Sequence, residues 1–98
     1  MATLPQIFTA EMIGTFIFLG VIIHVVDKKE ENAWIKIGFA LAVAILLLGS
    51  VSGGKYNPAV SFMFFITNKT PTGQFILEMI AQIIGALLAV GLYYKVIK

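Results

Sequence analysis

The sequence predicts an all-α integral membrane protein of three transmembrane helices plus one re-entrant half-helix. Of its 98 residues, 59% are hydrophobic and 12% charged, with a mean hydropathy of +0.96, too apolar for a soluble domain of this size to hide. Three windows approach the roughly 20 apolar residues that cross a hydrocarbon core. Between the second and third lies the polar, glycine-rich break Ser52-Gly53-Gly54-Lys55-Tyr56-Asn57-Pro58-Ala59-Val60-Ser61, and the apolar helix that follows is too short to span.

The first window is Ile7 to Val26. Met1 to Gln6 carries no Lys or Arg and no small-residue cleavage pattern ends the run, so this segment is expected to stay as a span and not leave as a signal peptide. Asp27-Lys28-Lys29-Glu30-Glu31-Asn32 reads as a solvated turn, and Ala33 to Val51 as the second span. Pro58 to Thr67, at 1.5 Å per residue, is about 15 Å long and crosses half a bilayer. Asn68-Lys69-Thr70-Pro71 ends it, with Thr70 expected as N-cap and Pro71 as first residue of the last helix, whose apolar window is Phe75 to Ile97. Gly38 with Ala42, and Ala81, Gly85 and Ala89, are small residues at helical spacing, expected to let helices pack closely in lipid. The whole chain, 1–98, reads as one unit with its termini on opposite sides of the membrane.

Composition excludes several functions. All seven basic residues are Lys, scattered, and a net charge of +2 gives no footprint for nucleic acid. With no Cys, one His and acids far apart in sequence, no metal site is expected. No nucleophile and base stand in a recognisable arrangement, so no enzyme and no cofactor are expected.

A helix that begins midway through a bilayer aims its unpaired N–H groups and the positive end of its dipole at the membrane centre, where a polar passage must answer them. Asn57 before Pro58 is an N-cap signal. With its side-chain oxygen held by backbone N–H groups, its NH₂ is left as a donor to whatever passes. Carbonyls of Gly53, Gly54, Lys55 and Tyr56 would form an acceptor row replacing a permeant's water shell, which suits a neutral polar solute. Glu11 is an acid within a span, a functional-site hypothesis by default. It reads as the clamp that accepts the loop's N–H groups, ahead of a proton relay, because Glu78 is the one other acid inside a span. Gln82 reads as a buried interhelical hydrogen-bonding group, and His24 as interfacial.

These residues resemble the aquaporin and aquaglyceroporin family, the major intrinsic proteins. Glu11-x-x-Gly14-Thr15-Phe16 resembles the family's first-helix signature, Ser52-Gly53-x-x-x-Asn57-Pro58-Ala59-Val60 its first Asn-Pro-Ala loop, and Ile80-Ala81-Gln82-Ile83-Ile84-Gly85-Ala86 its third helix. The resemblance is to one of the family's two inverted repeats and implies half of a channel for water or small neutral solutes such as glycerol. A second copy in antiparallel orientation, or a separately encoded second half, would complete the pore; a non-conducting packing subunit, or a fragment of a full-length aquaporin, are the alternatives. The resemblance further implies Ile37 and Val60 at the constriction, Val60 standing where the matching position of the family's second loop usually has Arg. Lys55 stands where the family often has His, and Glu78, usually not acidic there, is expected to pair with Lys69 or Lys55. Lys55 and Lys69 on the side of the N-terminus, against Lys28, Lys29, Lys36, Lys95 and Lys98 on the other, point opposite to the family's orientation.

Overall fold

The computed structural model describes residues 1–98 as four α-helices: α1 Leu4–Asp27, α2 Ala33–Ser52, α3 Pro58–Ile66 and α4 Thr72–Leu92, the last prolonged by a π-helical turn over Tyr93–Ile97. α1, α2 and the helix Thr72–Ile97 are long and apolar enough to span a membrane. α3, with nine residues, reaches about 14 Å. The chain is an integral, multi-pass membrane protein.

Local chemistry sets where these helices begin and end. α1 starts before its apolar window because Thr3 and Gln6 form a capping box: the Gln6 N–H donates to Thr3 Oγ1 at 3.3 Å, and the Thr3 N–H to Gln6 Oε1 at 2.9 Å. α2 closes at Gly53, whose φ of +92° lets its N–H return to the Gly49 carbonyl at 2.8 Å. The start of α4 corrects the expectation for Thr70. Pro71, with ψ of 155°, is itself the N-cap and the helix begins at Thr72; the Thr70 hydroxyl is instead taken by Lys55 Nζ at 3.1 Å.

α1 is the central element, packed against α2 on one side and α4 on the other, while α3 lies on α4. Ala81, Gly85 and Ala89 form the buried seam of α4, and a Cβ on Gly85 would lie 2.5 Å from the Met12 carbonyl oxygen. On α2 the close-approach residues are Ala40 and Ala44, not the expected pair: Gly38 and Ala42 face outward, and no atom lies within 4 Å of a Cβ built on Gly38.

The burial pattern is that of a protein solvated by lipid. Nineteen residues are buried, and Glu11, Thr15, Ser52, Lys55, Ser61, Thr70, Glu78 and Gln82 are among them, while Trp34, Phe39, Leu46 and Leu87 are exposed. Polar groups turned inward and large apolar ones outward leave the helices mutually bound by hydrogen bonds and close packing.

Candidate functional site

The glycine-rich loop between α2 and α3 is held from within the helix bundle. The Glu11 carboxylate is fully buried and receives four donors: Ser52 Oγ at 2.5 Å and the Lys55 N–H at 3.2 Å on Oε2, the Tyr56 N–H at 2.8 Å and Gln82 Nε2 at 3.0 Å on Oε1. Four donors match the acceptor capacity of an ionised carboxylate, which offsets the cost of taking its charge out of water. Ser52 Oγ also accepts the Gly54 N–H at 3.3 Å. The N–H groups of Gly54, Lys55 and Tyr56 therefore all point inward, whereas the carbonyls of Gly53, Gly54, Lys55 and Tyr56 accept no hydrogen bond from the chain.

Backbone conformation makes this possible. Gly53, Gly54 and Tyr56 have φ of +92°, +67° and +54°, and for Tyr56 that left-handed geometry is strained. Its side chain supplies the restraint: the hydroxyl donates to the Ala44 carbonyl at 2.8 Å, and the ring lies against Gly14. The sequence reading takes only the carbonyl of Tyr56 and misses this anchor, whose partners Gly14 and Ala44 lie on two other helices.

Asn57 is the N-cap of α3, its Oδ1 accepting the Ala59 N–H at 2.8 Å. Its amide nitrogen has no partner in the chain, and the residue is exposed. Beneath it, a pocket of about 200 Å³ is bordered by Thr15, Tyr56, Asn57, Gln82 and Ile83. Gln82 joins three helices, donating to Glu11 and to Ser61 Oγ at 2.8 Å, while its own Oε1 is buried without a partner. Ile37, on α2, and Val60, on α3, are each half-buried.

Lys55 does not turn its ammonium toward the loop's outer face. It is buried and pairs with Glu78 Oε2 at 2.6 Å, with Phe64 5.2 Å below as a cation–π partner. The charge bias between the two membrane faces thus becomes five Lys against Lys69 alone, since Lys55 is no surface charge. His24 lies at the far end of α1, its Nε2 3.4 Å from Glu30 Oε2, where Glu30 also meets Lys36. The Lys36 ammonium, first as hydrogen-bond donor and then as a neighbouring charge, holds the Glu30 carboxyl below its ordinary 4.5.

Residues 2–98 match the Major intrinsic protein family along nearly the whole chain. The chain belongs to that family. Among its relatives, Glycerol uptake facilitator protein-like 6 of Lactiplantibacillus plantarum is 38% identical over 84% of this chain and 39% of its own length. Nodulin-26 of Glycine max is 35% identical over 88% of this chain and 35% of its own length. Probable aquaporin AqpM of Archaeoglobus fulgidus is 35% identical over 88% of this chain and 45% of its own length. The chain thus spans less than half the length of these relatives, and its one Asn-Pro-Ala loop and one half-helix are a half share of the family's architecture as the motifs imply it.

Proposed function

We propose that this chain is a half-pore subunit of a channel for water or small neutral solutes such as glycerol, completed by a second copy in inverted orientation or by a separate second half. The observation that carries this is the division of the loop: the N–H groups of Gly54, Lys55 and Tyr56 are consumed by Ser52 and Glu11, while four successive carbonyls and the Asn57 amide nitrogen are left without partners. A row of acceptors leading to one donor can replace the hydration of a neutral hydroxylic solute step by step. The positive end of α3 repels cations at the same place. In this reading Glu11 is the loop clamp, Asn57 the central donor, and Ile37 with Val60 the apolar constriction.

Osmotic shrinkage of liposomes holding only this protein tests the reading. Flux above empty liposomes, lowered in Asn57→Ala, is expected of the half-pore. No flux from inserted, dimeric protein would defeat the paired-copy form of it, and so would finding, with tags on both termini, every copy in one orientation. The share of the relatives' length that is covered favours a second reading, in which these residues are the first half of a longer channel; flux that appears only when a second half is supplied would select that one.

A further inference from the structure

We infer that Lys55 is a positioning residue of the pore, its ion pair with Glu78 fixing the direction of the Gly53 to Tyr56 carbonyls and hence which solutes pass. The inference rests on the half-pore reading. Residue 55 is tethered at both ends to different spans. Its backbone N–H is held by Glu11 of α1 at 3.2 Å, and its Nζ reaches Glu78 of α4 at 2.6 Å and Thr70 Oγ1 at 3.1 Å. Glu78 is held in turn by Gln74 Nε2 at 3.0 Å.

The loop needs such tethers because its own backbone does not choose a conformation. Gly53 and Gly54 have no Cβ to restrict them, and Tyr56 sits at positive φ. Turning the peptide planes on either side of Lys55 redirects the carbonyls on which the passage depends, and either tether resists that turn. Thr70 and Lys55 lie on opposite sides of α3 in the chain, so their contact closes the re-entrant hairpin across its base. Stability alone explains the pair poorly. Both side chains are buried, 7% and 0% exposed, and Glu78 Oε1 has no partner, whereas well-packed apolar residues in place of a buried ion pair are often as stable or more so.

The experiment compares the full chain in lipid with Lys55→Met combined with Glu78→Met, which replaces both charges by apolar side chains. Amide hydrogen exchange is read over the loop, and glycerol and water permeability are read in liposomes. The double variant is expected to insert as the natural chain does, to exchange the Lys55 and Tyr56 amides about tenfold faster, and to change the glycerol-to-water ratio about threefold or more. A loss of folded pores lowers both fluxes together and leaves the ratio alone. Unchanged protection of the two amides, or an unchanged ratio while both fluxes persist at the natural chain's level, overturns the proposal. Glu78→Gln, which leaves Lys55 a neutral acceptor, is expected to move exchange in the same direction by less; no movement there also overturns it, even where the double variant fails to insert. A natural chain that passes neither solute defeats the half-pore reading, and the exchange measurement alone then decides whether the pair tethers the loop.

Discussion

The ring of Tyr56 fills the volume that a side chain on Gly14 would need: a Cβ built there lies 2.0 Å from Tyr56 Cε1. Because the Tyr56 hydroxyl is bound to the Ala44 carbonyl and its backbone N–H to Glu11, the ring has little room to yield. Gly14→Ala is therefore expected to lose about 2 kcal/mol or more by overpacking, more than the gain of up to about 1 kcal/mol in helix propensity. Gly20→Ala, on the same helix with no atom within 4 Å of the new methyl, should be neutral or stabilising. Denaturation of both variants in mild detergent checks the contrast, and equal stabilities would refute this account of the loop's seat.

Glu11→Gln tests the carboxylate. The amide keeps one acceptor oxygen for one pair of donors but turns its NH₂ toward the other pair, Ser52 with Lys55 or Tyr56 with Gln82, which already donate. Loss of about 2 to 4 kcal/mol is expected, because charge-assisted bonds vanish and buried N–H groups are left unmet. Exchange of the Lys55 and Tyr56 amides should rise with it. A variant as stable as the natural chain would mean that the loop holds its shape without Glu11.

Far from the loop, Glu30 offers a pH dependence whose sign is fixed. Its carboxyl is held below the ordinary value, chiefly by the Lys36 hydrogen bond, so the folded state favours the ionised form. That contribution is present in full above about pH 4.5 and is lost as the pH falls through the depressed value. Lys36→Met removes its largest part, leaving the weaker pull of His24 and Lys28. Melting temperatures of the two proteins should differ at about pH 7 and draw together as the pH falls below the depressed value, the difference being small because the pair is exposed. A gap that widens in acid would contradict the assignment.

The three spans and the half-helix were legible because hydropathy and length decide them: the nine-residue, mostly apolar helix after the Gly-Gly break is too short to cross a bilayer. Glu11 and Asn57 could be picked out for a similar reason, since a polar residue at membrane depth has few ways to be satisfied. For Lys55 the sequence offers Glu78 as a partner shared with Lys69; the structure gives Glu78 to Lys55 and adds Thr70, a choice that depends on residues 23 and 15 positions further along the chain. Thr70 was misread as a cap for the same reason: a long-range lysine competes for the hydroxyl that local sequence assigns to the next helix. The outward face of Gly38 and Ala42 was equally hidden, as small residues mark close approach without saying which partner approaches.

Asn57 has one observed role and one proposed role, and one substitution separates them. As N-cap, its Oδ1 accepts the Ala59 N–H, and loss of such a cap costs about 0.5 to 2 kcal/mol. In the proposed role as donor, its exposed amide nitrogen has no partner in the chain. Asn57→Asp keeps the accepting oxygen and adds a charge that the positive end of the helix favours, so stability should hold or rise by a few tenths of a kcal/mol. The same change removes the NH₂ donor and puts an anion where a neutral solute would be received, so flux per inserted protein should fall about tenfold, equivalent to 1.4 kcal/mol at the central site. Asn57→Ala should lose both, stability and flux together. Should Asn57→Asp conduct like the natural chain, the side chain serves α3 as a cap alone, and the donor at the centre of the proposed pore must be sought elsewhere.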